Sequence, residues 1–299
     1  MSILIIGATS GIGNFFYKYM ISDFNISIFG VGTKLSNKDE FLFLCKLSNY
    51  NKLINIIKKK NINTIIHFAS NLRPSSPIDN MKDEIVNIIN PTKKIVQFCS
   101  NNNIKFVYVS TAGAIYDDDY PIFYENTPLN PKSAYGESKI IIENFIIDEH
   151  KSNNLKFLIL RPTNIINPSN LIEKNFGLFS HICNSFYKNS IFTLYGNPKK
   201  DFLDIRDFSI IVKSLLLNGT QNEIINIGSG NSYSLEEILI IFENKFNKSI
   251  NIIHKIPPVY EYNKLIVSIN KLMVILNNNY KFYTINDTIS NFILKFNHE

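Results

Sequence analysis

Short apolar runs alternating with amphipathic stretches organise the first half of the chain. Ile3-Leu4-Ile5-Ile6, Ile26 to Phe29, Phe41 to Cys45, Thr64 to Ala69, Phe106 to Ser110 and Phe157 to Arg161 are each four to six residues long. Runs of this length, rich in Ile, Val and Phe and bounded by turn-forming or polar residues, suit strands buried on both faces of a parallel sheet. Between them lie segments with helical spacing, such as Asn14 to Met20. The alternation predicts an α/β fold with a doubly wound parallel sheet. After Pro162 the pattern weakens: Asn167-Pro168-Ser169-Asn170 and Gly196-Asn197-Pro198 break the chain into shorter pieces. One more strand, Ile224 to Ile227, ends in Gly228-Ser229-Gly230, and Pro257-Pro258 interrupts the tail. The expected division is a large domain over 1–165 with a return segment at about 203–228, and a smaller region over 166–202 and 229–299.

The first run leads into a turn holding Gly7, Gly11 and Gly13, followed directly by a predicted helix. Glycine lets the backbone take positive φ and lets a ligand approach the peptide groups, while the helix N-terminus offers free N–H groups to an anion. In folds of this class that anion is a dinucleotide pyrophosphate. The spacing is not G-x-G-x-x-G, and a glycine hairpin or an ordinary strand-to-helix turn would use the same residues. With 299 residues, 45% of them hydrophobic, the chain can bury a large core.

Thirty-one basic residues against 25 acidic ones give a net charge of +6, which raises the question of nucleic acid. The lysines are scattered among many Asn and Ile residues, the mark of a compositional bias, and the densest cluster, Lys58-Lys59-Lys60, falls at a predicted helix end where cations favour the dipole. No nucleic-acid partner is expected. Cys45, Cys99 and Cys183 are far apart in apolar surroundings and form no metal or redox motif, so reduced core thiols and no metal are expected. No run approaches a membrane span, and the expected location is the cytoplasm.

Tyr-x-x-x-Lys occurs at Tyr135-Gly-Glu-Ser-Lys139, a spacing that puts both side chains on one helix face. With 15 tyrosines, about one or two such matches arise by chance. Tyr195-Gly-Asn-Pro-Lys199 contains helix breakers, and Tyr260-Glu-Tyr-Asn-Lys264 follows a Pro-Pro turn, so both are set aside. Tyr135 differs in its surroundings. Pro131-Lys132-Ser133 supplies a cap signal, Ile140 to Phe145 continues an amphipathic helix, and Ser110 and Thr111 bring hydroxyls to a strand end. A phenol ionises near pH 10, and an ammonium beside it, or an oxidised nicotinamide, favours the phenolate, so the pair is expected to shuttle a proton near neutrality.

The glycine turn, the Ile66-His67-Phe68-Ala69 strand, the hydroxyl-bearing strand and Tyr-x-x-x-Lys together resemble the short-chain dehydrogenase/reductases, whose fold is Rossmann-like. Asn130 to Gly136, Leu160-Arg161-Pro162-Thr163-Asn164, Lys200-Asp201-Phe202 with Asp204 to Asp207, and Asn226 to Gly230 are similar to the extended branch of that family, which acts on nucleotide sugars. The resemblance implies that Tyr135 is the general acid/base and that Lys139 binds the nicotinamide ribose while tuning Tyr135. It implies dinucleotide contacts from Gly7, Thr9, Ser10, Gly11, Ile12, Gly13 and Ala69. Asn164 would touch a nucleotide-diphosphate sugar, and Lys200, where the family usually has arginine, would neutralise its diphosphate with help from Arg206. A homodimer would form through the Tyr135 helix and the one around Met81 to Asn101.

Three departures shape the expectations. The glycine spacing is that of the single-domain branch, with Ser10 where extended members carry glycine. The stretch after the second strand, Phe29 to Lys34, lacks the acidic residue that would hold an adenosine ribose 2′-OH. Lys34 and Thr33 instead suit a 2′-phosphate, which inclines the cofactor to NADP over NAD, and a solvent-facing loop is the plain alternative for Lys34. Ala112 stands at the usual position of the catalytic hydroxyl, so that role goes to Thr111, with Ser110 in reserve. Dehydratases of the branch carry an Asp-Glu pair after the threonine and the bifunctional epimerase-reductases a cysteine; Ala112-Gly113-Ala114 supplies neither. Hydride chemistry at C4 of a hexose remains. The leading expectation is a 4-keto-sugar reductase, the second a 4-epimerase that keeps its NAD bound, and the third a non-catalytic dinucleotide sensor.

Overall fold

The computed structural model describes residues 1–9, 11–23, 25–34, 39–76, 80–168, 177–258 and 260–297. Ser10, expected to meet the dinucleotide, and Ser169 and Asn170 of the expected break lie outside them. The first half runs β1 (Ser2–Ile6), α1 (Gly11–Met20), β2 (Ser27–Gly32), β3 (Leu42–Leu44), α2 (Tyr50–Lys59), β4 (Thr64–His67), α3 (Met81–Glu84), α4 (Asn90–Asn101), β5 (Lys105–Val109), α5 (Ala134–Asn153) and β6 (Phe157–Pro162). A π-helical turn, Ile85–Ile89, joins α3 to α4. The second half runs β7 (Asn164–Ile166), α6 (Leu178–Lys188), β8 (Phe192–Tyr195), β9 (Lys199–Asp204), α7 (Ile205–Leu217), β10 (Glu223–Ile227), β11 (Ser232–Tyr233), α8 (Leu235–Phe246), β12 (Ile252–Lys255), β13 (Lys264–Leu265), α9 (Asn270–Ile275) and α10 (Ile285–Asn297).

Seven parallel strands form the central sheet in the order β10-β6-β5-β4-β1-β2-β3. Alternate side chains of each strand feed two cores. Ile3 and Ile5 pack with Phe16, Val107, Leu160 and Phe208 on the α1 and α7 side. Leu4 and Ile6 pack with Leu53, Phe106, Tyr108, Ile142 and Ile146 on the side of α2, α4 and α5. Because both faces are covered, the strands need continuous apolar runs rather than an alternating pattern. The chain order reverses between β1 and β4, and a crevice opens there at the carboxyl ends of the strands, as the topology requires.

The remaining strands lie outside this sheet. β9 pairs with β7, β11 and β13, and β8 pairs with β12. Phe179, Phe186, Leu194, Phe202, Phe242 and Phe292 form a separate aromatic core beneath α6, α8 and α10. Cys45, Cys99 and Cys183 are buried free thiols. Lys60 caps α2 and lays its ammonium over the Phe29 ring, 5.2 Å from the centroid. Among the described residues no helix is long and apolar enough to cross a membrane.

Candidate active site

The turn after β1 is built by its glycines. Gly7 (φ 88°) donates to the Val31 carbonyl at 3.0 Å, and Gly11 (φ 57°) opens α1. A Cβ on Gly13 would lie 2.4 Å from the Gly7 carbonyl oxygen, so only glycine lets α1 sit this close to the turn. No acidic residue occupies the first turn of α1, which leaves its dipole unopposed toward an anion. Asn14 donates to the Ala8 carbonyl at 3.0 Å and Asn167 to the Gly11 carbonyl at 3.3 Å, fixing the turn from both sides.

From this turn the crevice, about 620 Å³ in volume, runs past Ala69 to Ser110, Thr111, Tyr135 and Lys139. Ser133 caps α5 by accepting from the Gly136 N–H at 3.3 Å, and this sets the helix so that Tyr135 and Lys139 face the end of β5. Thr111 lines the crevice together with Tyr135, and its Oγ1 accepts from the Gly113 N–H at 3.0 Å. Lys139 is buried; its ammonium donates to the Val109 carbonyl at 3.0 Å and stands 5.4 Å from the centre of the Tyr135 ring. The Ser110 hydroxyl is buried in the crevice wall without a hydrogen-bond partner.

Electrostatics here depart from the sequence expectation. Burial pushes the Tyr135 phenol up to about 12, with the nearby Thr111 hydroxyl acting the other way and the Glu84 carboxylate adding to the rise. Burial also pushes the Lys139 amine down to about 8, opposed by the carboxylates of Glu84 and Glu143. Desolvation of the phenol is the largest of these influences. The Tyr135 phenol is therefore neutral at physiological pH.

Glu84 was not visible as a site residue in the sequence. It is buried and accepts from Ser70 Oγ at 2.9 Å and from the Asn71 N–H at 3.0 Å, fixing the 70–72 loop that lines the crevice. Nothing in Lys82-Asp83-Glu84 separates it from its acidic neighbour. The π-helical turn that follows brings Asn87 and Ile88 into the crevice wall, an arrangement with no sequence signal.

The structure gathers Gly7, Thr9, Gly11, Ile12, Gly13, Ala69, Ser110, Thr111, Tyr135 and Lys139 along one crevice, and it places other expected residues elsewhere. Lys34 is exposed and outside the lining, where Gly32 and Thr33 form the wall. Asn164 donates to the Asp201 carbonyl at 3.2 Å, with its amide oxygen 3.8 Å from where a Cβ on Gly113 would lie. Lys200 is paired with Glu261, and Arg206 with Asp204 at 2.7 Å while stacking on Tyr283 at 3.7 Å; neither lines the crevice. Asp201 is structural: it accepts from Thr163, from the Ser229 N–H and hydroxyl, and from the Gly230 N–H, and so pins the Gly228-Ser229-Gly230 turn. Tyr195 and Lys199 belong to two strands, and Lys264 to a third, so neither set-aside pair shares a helix face.

Known proteins share this architecture. A putative UDP-glucose 4-epimerase from Methanocaldococcus jannaschii is 27% identical over 212 residues, 69% of this chain and 68% of that one. A dTDP-4-dehydro-6-deoxyglucose reductase from Escherichia coli is 26% identical over 212 residues, 70% of this chain and 67% of that one. The crystal structure of a UDP-glucose 4-epimerase from Thermotoga maritima with UDP-glucose superposes with a TM-score of 0.87 at 17% identity, covering 100% of this chain and 99% of that one. That of a Thermus thermophilus UDP-glucose 4-epimerase in complex with NAD gives 0.85 at 18% identity, covering 99% of each. The family model described as NAD dependent epimerase/dehydratase family matches residues 3–228. A match that begins in β1 and ends one residue past β10 takes in the entire seven-stranded sheet and the residues at its carboxyl edge: this chain belongs to the NAD dependent epimerase/dehydratase family.

Proposed function

We propose that the chain is an NAD(P)-dependent oxidoreductase acting at C4 of a nucleotide-diphosphate sugar, and that it works as a reductase of the 4-keto form. The observation that carries this reading is the Thr111–Tyr135–Lys139 cluster, whose phenol is a neutral acid at the edge of a crevice lined by no carboxylate among the described residues. Such a phenol is suited to giving a proton to an oxygen that gains charge during reduction.

The residues fit a dinucleotide. The glycine turn leaves its peptide groups open to a pyrophosphate, α1 adds no negative charge, and the unpartnered Ser110 hydroxyl awaits a polar group in the wall. When bound, the nicotinamide supplies the hydride to the sugar carbon. Thr111 polarises the carbonyl, and the Tyr135 hydroxyl gives its proton to the new alkoxide. Lys139, protonated at neutral pH with its amine near 8, would hold the ribose and return a proton to the phenol. A dehydratase would need its own acid and base beside the threonine, where Ala112 and Ala114 are buried. The same reading includes a homodimer through α4 and α5.

A second reading, a 4-epimerase, is favoured by the UDP-glucose 4-epimerases among the relatives, from Methanocaldococcus jannaschii and Lactobacillus helveticus. The test is to give the purified protein NADPH and a nucleotide-linked 4-keto-6-deoxyhexose while following absorbance at the reduced-nicotinamide band. The reductase reading expects one NADPH consumed per sugar reduced. Interconversion of UDP-glucose and UDP-galactose with no change in bulk absorbance would replace it with the epimerase.

A further inference from the structure

The end of the crevice away from Tyr135 is closed by the ends of β2 and β3. Their parallel register places Gly32 beside Leu44, and the Cys45 N–H donates to the Gly32 carbonyl at 2.9 Å. Thr33 therefore stands next to Cys45-Lys46-Leu47-Ser48, residues twelve or more positions away in sequence. A second cavity, about 580 Å³, adjoins the crevice here; it shares Thr33, Cys45, Lys46 and Ser48 with it and adds Leu44, Asn49 and Lys52.

The charge at this end is one-sided. Neither cavity is lined by Asp or Glu among the described residues, and the ammonium groups of Lys46 and Lys52 form no ion pair there. An adenosine ribose with a free 2′-OH is held by a carboxylate that accepts a hydrogen bond from it, and no such acceptor is present at the end of either strand among the described residues. A ribose 2′-phosphate has the opposite needs: cations for its charge and hydroxyl donors for its oxygens. Two lysines and the hydroxyls of Thr33 and Ser48 meet them. Lys34, the sequence candidate for this role, lies outside both cavities.

We propose that Lys46 and Lys52, with Thr33 and Ser48, form a subsite for the 2′-phosphate of NADP(H) and make the chain selective for the phosphorylated dinucleotide. This rests on the dinucleotide reading given above and adds the side chains that choose between the two forms.

Isothermal titration calorimetry of the full chain tests it without turnover. NADP⁺ should bind at least about tenfold tighter than NAD⁺ at low salt, an advantage that shrinks as ionic strength rises. Adenosine 2′,5′-bisphosphate should outbind both 5′-AMP and adenosine 3′,5′-bisphosphate. Lys46→Ala and Lys52→Ala should each weaken NADP⁺ by about 3- to 10-fold while leaving NAD⁺ within about twofold, and K46R should restore most of the loss. Both lysines are exposed, so a thermal midpoint matching the parent chain accompanies these variants. Equal affinity for the two dinucleotides overturns the subsite and leaves the oxidoreductase reading standing. So does a loss that falls equally on NAD⁺ and NADP⁺, or a 3′-phosphate that binds as well as the 2′-phosphate. Failure of both dinucleotides to bind overturns the subsite and the oxidoreductase reading together.

Discussion

Replacing Gly136 by alanine sets two opposed effects against each other. Gly136 is in the first turn of α5, and alanine inside a helix is worth about 1 kcal/mol over glycine. A Cβ there would lie only 1.9 Å from the Ala114 carbonyl oxygen and 3.0 Å from its carbon and from Pro131 Cβ. Reaching ordinary contact requires helix and loop to part by roughly 1.5 Å. Overpacking of this kind costs about 1–3 kcal/mol, and backbone pressing on backbone belongs at the upper end, so the clash wins by about 1–2 kcal/mol. The larger effect falls on the chemistry. Tyr135 precedes the substituted residue and Thr111 lies three residues before Ala114, so the parting moves the two hydroxyls away from each other in the crevice wall. A 1 Å misplacement can cost about 100-fold in rate. Urea unfolding and steady-state kinetics on Gly136→Ala should therefore show a modest drop in midpoint and a fall of about two orders of magnitude in kcat. Gly113→Ala is the control, because its Cβ would meet Leu265 at 3.4 Å, an ordinary contact. It should be neutral or stabilising by about 0.5 kcal/mol. A G136A protein as stable and as active as its parent within twofold would refute the idea that this close approach sets the Tyr135 geometry.

Tyr135→Phe should lower the rate by about 10²- to 10⁴-fold while the protein still binds dinucleotide in calorimetry; undiminished turnover would remove Tyr135 from the mechanism. His67 is fully buried beside Thr92, and burial holds its imidazole down at about 3. Between the unfolded value near 6.5 and that value the unfolded chain binds a proton the folded one does not, so stability is complete above pH 6.5 and falls on acidification. The loss is at most about 1.4 kcal/mol per pH unit, roughly 2 kcal/mol at pH 5. Urea midpoints at pH 7 and pH 5 should differ less for His67→Gln than for the parent chain, and identical differences would dismiss this histidine as the cause. Arg161 and Glu143 form a buried pair at 2.6 Å, with Arg161 also donating to Tyr116 and the Glu125 carbonyl. Glu143→Gln should cost about 3 kcal/mol by leaving the guanidinium unpaired, whereas replacing both partners by apolar residues recovers much of it.

The strands were readable because both faces of the sheet are covered, so Ile3 to Ile6 or Phe106 to Val109 carry apolar residues without interruption. The start of α5 was readable because Ser133 caps it in the usual way. What the sequence hid depends on contacts between distant residues. Lys46 joins Thr33 only through the β2–β3 register, and Glu84 meets Ser70 only through a loop whose path no local pattern dictates. Nor did the sequence show that Lys200 pairs with Glu261, a residue far along the chain. The asparagines also concealed a use. Asn154, Asn189 and Asn247 take φ of 56°, 51° and 48° to close α5, α6 and α8, a role more often given to glycine.

The parallel register of the sheet acts as a ruler. Between the β5 end, which Tyr135 faces, and the β3 end, where Lys46 stands, lie β4, β1 and β2, four steps of about 4.8 Å that total roughly 19 Å. Neighbouring strands cannot slide without inverting which side chains face each core, so that span is fixed by the backbone itself. A mononucleotide can occupy either end but cannot report to both. On the proposed reading, trimming a cofactor at its adenosine side should therefore cost speed as well as occupancy, since anchorage at one extremity would hold the nicotinamide at the other.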